Sequence, residues 1–438
     1  MDKRPYTGPV ADQEPERLAP DDAHILSVES SVITGHSLKL ILLEPGDRPL
    51  DIEALRSSVA QRLPEEPRAT QRVDISGAAP CWVEAPDFDI ANHIRRYPTP
   101  ESATEADLWK SVSILMSEHL DRDRPLWTFD VIGPLADGRE AIAARIHHAM
   151  ADGIAAVRFL HAVLWDPHAE PAATGPRAGL RSGTGPEPLV EAWRLPGAVL
   201  RELGHRGSDS PFDRPITGSR ELAFSVAPLA DLKAIGISRP IHATVNDVLL
   251  AVIAGGLRQW LGTTGVVAAH MRAQVPVSLH HRDESASDPG NRDSFMNVDL
   301  PLADPDPLLR LDQISAETRR RKQLGDAKEL FDLFHALGRV HRIDSAVKRF
   351  AGSAREFSVS ISNVPGPSIR MDVAGRTVQH LFSSSEPALH HALRISAISF
   401  AGDIGIGLCT DPQALPDIAQ LAAAIRHAYT ELLSAARK

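Results

Sequence analysis

The chain reads as two mixed α/β domains joined by an exposed linker. Three observations lead there. Stretches of alternating apolar residues recur beside stretches of helical spacing in both halves. Residues 166–218 interrupt that pattern with "DPHAEPAATGPRAGLRSGTGPEP", rich in proline, glycine and alanine. A length of 438 residues is enough for two cores of ordinary size. The expected division is a polar extension over 1–19, a first domain over 20–165, the linker over 166–218 and a second domain over 219–438.

In chain order, "HSLKLILLE" from His36 reads as a strand. "DIEALRSSVAQRL" reads as an amphipathic helix, with Ile52, Leu55, Val59 and Leu63 on one stripe. "TEADLWKSVSILMSEHL" is a second helix, which Thr104 and Asp107 can cap. "TFDVIG" and "EAIAARIHH" are strands around the turn "PLADGR", and "GIAAVRFLHAVLW" returns to helical spacing. Within the linker, "LVEAWRLPGAVLREL" is a helical piece broken at Pro196. Beyond it, "RELAFSVA" is a strand and "TVNDVLLAVIAGGLRQWL" a long apolar helix opening at Thr244 or Asn246. "AAHMRAQVPVSL", "SFMNVDLPL", "EFSVSISNV" and "LRISAISFAGDIGIGLCTD" carry strand signals, and "LPDIAQLAAAIRHAYTELLSAARK" closes the chain as a helix.

Composition narrows the function classes. Apolar content of 43% with 24% charged residues is that of a soluble globular protein. A net charge of −10 argues against a nucleic-acid partner. Cys81 and Cys409 form no CxxC pair and suggest neither a disulfide framework nor zinc. The first twenty residues lack the apolar core of a signal peptide, and no run of eighteen apolar residues is free of charge. A cytoplasmic protein is expected.

The chemistry concentrates in "RIHHAMADGIAAV", Arg145 to Val157. Histidine pairs occur at His147-His148, His280-His281 and His390-His391, and the first alone is followed by an aspartate and a glycine at this spacing. A neutral imidazole can accept a hydroxyl proton near neutral pH. Adjacent side chains on a strand point to opposite faces, so one histidine serves as base and the other as support. His148 closes the strand four residues before Asp152 and is expected to be the base, with His147 supporting it. Asp152 can cap the next helix or pair with an arginine to fix the turn. Gly153 is expected to relieve strain where the chain reverses. Such a base should lose activity on the acid side, at roughly pH 6 to 7. Two histidines and an aspartate can also hold a metal. Strand neighbours diverge, however, and no carboxylate or cysteine cluster completes a ligand set, so no metal is expected. The other two pairs read as surface or supporting residues.

With its flanks, "LDRDRPLWTFDVIGPLADGREAIAARIHHAMADGIAAVRFL" closely resembles the bacterial wax ester synthase / diacylglycerol acyltransferase family, marked by HHxxxDG after a PLW element, here Pro125-Leu126-Trp127. The resemblance continues in order through "ATVNDVLLAVIAGGLRQWL", "VPVSL", "GNRDSFMNVDLPL", "SNVPGP" and "GIGLCTDPQALPDIAQLAAAIR", and covers nearly all the chain beyond residue 20. It implies two similar domains related to chloramphenicol acetyltransferase and condensation domains, with the catalytic histidine in a tunnel between them. It implies transfer of a fatty acyl group from coenzyme A to the hydroxyl of diacylglycerol or a long-chain alcohol, with acyl-CoA as co-substrate and no cofactor. It assigns the base to His148, a structural part to Asp152, the oxyanion or the shape of the site to Asn246, and the substrate tunnel to Pro125, Leu126 and Trp127. The chain departs from the family in "PALHHALRIS", where a glycine is common and where His390 and His391 would narrow the acceptor channel.

The expected mechanism is direct attack on the thioester, without a covalent acyl-enzyme, since no GxSxG elbow is present. A preorganised donor at the oxyanion is worth roughly 3 kcal/mol. "TRRRKQL", Thr318 to Leu324, is the densest basic run, and reads either as a solvated helix face or as a contact for coenzyme A or anionic lipid. Leu330, Leu333, Phe334 and Leu337 form a stripe that lines the core or acyl tunnel, or rests peripherally on a membrane or lipid droplet. Two other readings stand beside the main one. A catalyst of the same fold could use another acceptor or a carrier-protein donor, and a non-catalytic paralogue could bind lipid alone.

Overall fold

A computed structural model describes residues 15–167, 210–263, 265, 270–278, 293–324 and 357–438. Its frame is two six-stranded mixed sheets. The first runs β12 (Asp372–Val373), β13 (Arg376–Ser385), β2 (His36–Leu43), β7 (Glu140–His147), β6 (Trp127–Ile132) and β5 (Ile94–Arg96). The second runs β10 (Asp293–Leu300), β9 (Met271–Ser278), β11 (Val359–Val364), β14 (Leu393–Phe400), β15 (Asp403–Thr410) and β8 (Glu221–Pro228). A small third sheet joins β1 (Glu16–Arg17), β4 (Cys81–Glu84) and β3 (Gln71–Asp74). Strand structure is thus present before residue 20.

The first sheet is not built from the first half of the chain alone. Strand β13 pairs antiparallel with β2 from Val378 opposite Leu43 to Ser385 opposite Ser37. A division at the linker therefore does not separate the two sheets. Glycine makes the crossing tolerable: a Cβ on Gly405 or Gly407 would lie 2.2 Å from the Leu381 or Ser383 carbonyl oxygen. Without side chains there, β15 lets the β13 backbone rest directly on it.

The helices dress the sheets as the apolar spacing predicts. Asp51 caps α2 (Ile52–Ala60) by accepting from the Glu53 and Ala54 N–H groups. Thr104 and Asp107 form a reciprocal capping box on α3 (Glu105–Ser117). Ser113 and Ser117 of α3 accept from the Leu222 and Arg220 N–H groups, covering the exposed edge of β8. Helix α4 (Gly153–Val163) packs Phe159, Leu160 and Val163 into the other face of the first sheet. Helices α5 (Leu229–Ser238), α6 (Val245–Thr263) and α8 (Ile418–Ala436) cover the outer face of the second. Thr244 is the cap of α6, exchanging hydrogen bonds with Asp247. Two more helices, α1 (Pro20–Val28) and α7 (Pro307–Leu324), complete the described set. The expected helix within the linker lies outside the described residues.

Candidate active site

Strand β7 delivers the histidine pair to one end of the first sheet, with His147 opposite His36 of β2. The two rings part as alternation demands. His147 is buried with one side of the turn, and its Nδ1 accepts from the Ala149 N–H at 3.1 Å. That acceptance leaves the proton of the neutral ring on Nε2, which faces Glu29 Oε2 at 3.6 Å. Burial pushes the Glu29 carboxyl up, but His147 and Arg122 outweigh it and hold the group below the ordinary carboxylate range. His147 is thus a support anchored to the end of α1.

His148 keeps accessible surface while its neighbours His147 and Ala149 are buried. Its backbone N–H donates to the Gly35 carbonyl at 2.9 Å. Burial, with Lys39, His147 and Arg394 adding like charge, pushes its ring down to about 3. The imidazole is therefore neutral across the whole working range. A ring held so low moves the acid limb expected of the free protein below roughly pH 6 to 7.

Gly35 is the residue on which this corner turns. Its φ is +72°, and a Cβ there would sit 2.3 Å from His147 Nε2. Its N–H, with that of Thr34, donates to the Glu386 carboxylate at the end of β13. The chain's second half thereby holds the loop that holds His148. Arg145, also in the motif, is structural: it donates to the Leu115 carbonyl and to Asp130.

Asp152 caps α4, accepting from the Ala155 N–H at 2.8 Å. Among the described residues no arginine pairs with it, so of its two expected tasks the structure displays the cap. Gly153 has no left-handed backbone to relieve; a Cβ there would instead meet Val364 Cγ2 at 3.1 Å. The HHAMADG turn and the SNVPGP segment therefore touch across the two sheets.

Pro125, Leu126 and Trp127 take a different place from the tunnel wall expected of them. All three are buried. Trp127 donates its indole N–H to the Ala69 carbonyl and stacks on His93, with Phe129 and Phe159 beside it. The Leu126 carbonyl accepts from the His147 N–H at 3.0 Å. PLW is the core under the histidines. Asn246 is half-buried in the first turn of α6, and among the described residues no hydrogen bond ties its side chain to the histidine turn.

The remaining histidines and the basic run divide differently from the motif. His390 is exposed, whereas His391 is buried, stacked on Phe357 at 4.1 Å and 3.3 Å from Asp213. His280 and His281 lie outside the described residues. On α7, Thr318 donates to Asp247, while Arg320 and Arg321 bind Glu317 of their own helix. Much of the basic charge is spent locally. Leu330, Leu333, Phe334 and Leu337 lie outside the described residues. A cleft of about 620 Å³ between α3, β8 and α8, lined by Trp109, Phe224 and Arg426, contains no residue of the histidine turn. No helix among the described residues is long and apolar enough to cross a membrane.

Comparison with known proteins agrees with the motif order. The wax ester synthase/diacylglycerol acyltransferase catalytic domain matches residues 18–185, and the WS/DGAT C-terminal domain matches residues 289–433. The chain belongs to this acyltransferase family. A probable diacylglycerol O-acyltransferase of Mycobacterium tuberculosis (strain H37Rv) is 30% identical over 422 residues, 89% of either chain. The wax ester synthase/diacylglycerol acyltransferase of Marinobacter aquaeolei VT8 superposes with a TM-score of 0.72 at 23% identity, over 97% of this chain and all of that one. The starter condensation domain of rhizomide synthetase, solved with C8-CoA and Leu-SNAC, gives 0.57 at 12% identity, over 97% of this chain and 95% of that one. The fold is the family's two-domain α/β arrangement, shared with condensation domains.

Proposed function

We propose that this member of the family transfers a fatty acyl group from coenzyme A to the hydroxyl of a lipid acceptor, diacylglycerol or a long-chain alcohol. The observation that carries the reading is His148: a neutral, accessible imidazole on the HHxxxDG turn, braced from behind by PLW and by Gly35. As the acceptor oxygen attacks the thioester carbonyl, His148 takes the hydroxyl proton. The C–O bond forms, the tetrahedral oxyanion collapses, the C–S bond breaks, and the proton passes to the departing thiolate. Asn246 is the candidate donor to the oxyanion. His147, Asp152 and Gly153 position the turn. The acyl donor enters as a co-substrate, and the scheme needs no metal or cofactor.

The relatives' names support a neutral lipid acceptor, and the absence of a spanning helix among the described residues is compatible with peripheral access to lipid from the cytoplasm. The test is palmitoyl-CoA offered with hexadecanol and with dipalmitoylglycerol while free thiol is followed. Acceptor-dependent thiol release that vanishes in His148→Ala is expected. Release unchanged in that variant would overturn the assignment, and a carrier-protein thioester used in preference to acyl-CoA would move the donor to the condensation class.

A further inference from the structure

Two cations lie near His148 with no ion pair to a carboxylate among the described residues. On β2, Leu38, Leu40 and Leu42 pack with α3, while Ile41 and Leu43 pack with α4. Alternation puts Lys39 on the α4 side, the side of Ala144 and Ile146 on β7, and its charge reaches the His148 ring in the turn just past that strand. On β14, Leu393, Ile395 and Ala397 enter the second domain's core, whereas Ile398 and Phe400 enter the core shared with α4. Arg394 shares the latter face. A lysine from one sheet and an arginine from the other thus converge on the layer that holds the histidine.

Neither forms an ion pair among the described residues. Lys39 is 1% exposed, and the hydrogen bond its ammonium makes among the described residues is to Ser37 Oγ at the long distance of 3.5 Å. Arg394 is half-buried, and its Nε is buried without a hydrogen-bond partner among the described residues. The neighbouring carboxylates act on the pair through space and take their hydrogen bonds elsewhere. Asp152 caps α4, and Glu386 takes the Thr34 and Gly35 N–H groups with Arg220 at 3.5 Å. Burying unpaired charge is costly, so such a pair persists where something compensates it. The pantetheine arm and thioester of coenzyme A are neutral, and so are diacylglycerol and fatty alcohols.

We propose that Lys39 and Arg394 form an anion site beside His148, selecting hydroxyl acceptors that carry a carboxylate or phosphate within a few bonds of the reacting oxygen. This rests on the acyl-transfer reading and refines its acceptor. It also accounts for a disadvantage in the empty site. Burial and the two cations hold the His148 ring at about 3, a poor base. The charged and titratable groups acting on it are Lys39 from β2, Arg394 from β14 and His147 beside it. Asp152 acts on Lys39, and Glu386 and Cys409 act on Arg394. An anion seated between the cations offsets their field and returns the base towards its ordinary range. The acceptor would bring its own activator.

The test compares acceptors matched in chain and differing in charge, with palmitoyl-CoA as donor. One pair is 1-palmitoylglycerol 3-phosphate against 1-palmitoylglycerol; the other is 3-hydroxyhexadecanoate against 2-hexadecanol. The anionic member of at least one pair is expected to show kcat/KM about tenfold higher or more, and the pair that responds tells phosphate from carboxylate. The preference should collapse towards unity in Lys39→Gln and in Arg394→Gln. The acid limb of kcat should lie at higher pH with the anionic acceptor than the limb of kcat/KM, which reports the free enzyme. Neutral acceptors preferred in both pairs would overturn the proposal while leaving acyl transfer standing. If no acceptor releases thiol, the acyl-transfer reading fails instead. Calorimetry with hexadecyl phosphate against hexadecanol then decides the site alone, equal affinity being the outcome that rejects it.

Discussion

The Glu386 carboxylate accepts from the Gly35 backbone N–H at 2.6 Å across 351 positions of the chain. That bond, with its companion to Thr34, sets the strand entry whose carbonyl receives the His148 N–H. Removing the charge should be felt at both places. Glu386→Gln is expected to cost about 1.5–3 kcal/mol, the range for a hydrogen bond to an ionised group, and to lower turnover severalfold. Urea unfolding and thiol-release kinetics measure the two effects. A variant as stable and as active as the parent would show that the tie does not position the histidine.

Gly35→Ala should be worse than an ordinary glycine substitution. The new methyl would meet the His147 ring at 2.3 Å on a backbone at φ +72°. A destabilisation of about 2 kcal/mol or more is expected, together with loss of activity. The double variant Gly35→Ala/His147→Ala should recover part of the stability and not the rate. Additive losses in that cycle would mean the ring is not what the methyl strikes.

The three motif residues should fail in different ways. His148→Ala is expected to lower thiol release on the order of a hundredfold or more and to leave the melting temperature near that of the parent. Asp152→Ala removes a helix cap and should cost about 1 kcal/mol of stability as well as activity. His147→Ala should combine a moderate rate loss with destabilisation, because it unties Ala149 and Glu29. A fully active His148→Ala beside an inactive His147→Ala would reverse the roles.

Acid should unfold this protein through its buried imidazoles. His36, His93 and His148 are all held below the ordinary value of 6.5, in each case chiefly by burial. Between that value and the lower native one, the unfolded chain binds more protons, so stability falls as pH falls through the interval. Each unit of difference corresponds to about 1.4 kcal/mol. Melting temperatures taken from pH 7.5 to 5 should decline steadily, and His36→Gln should flatten part of the slope. A flat profile would show that these rings take up protons as readily in the folded state as in the unfolded one.

Much of this molecule is legible in its sequence because local rules and burial agree there. Asp51, Thr104, Asp152 and Thr244 sit where caps belong, and "EAIAARIH" is a strand at every level of description, with His148 one residue past its end. Strand β13 is not legible. "RTVQHLFSSS" shows no apolar alternation, since Ser383 and Ser384 are buried against a glycine-bearing strand far away in sequence. The PLW element carries a clear signal whose meaning is core rather than tunnel, because three residues cannot declare which side of a wall they occupy. Glu29, Gly35, Lys39, Glu386 and Arg394 went unmarked for a common reason. Each takes its meaning from a neighbour brought near by the pairing of β2 with β7 or β13, by the facing of the two sheets or, for Glu29, by the end of α1.

The crossing of β13 into the first sheet also sets a schedule for biosynthesis. A ribosome adds roughly 5–20 residues per second, so roughly ten to fifty seconds separate the emergence of the histidine turn from that of Glu386. Throughout that interval β2 has β7 on one side and an open edge on the other, the kind of edge that invites pairing with a second nascent chain. The two portions expressed separately would inherit the same exposed edge, and co-expression should rescue solubility before it rescues turnover.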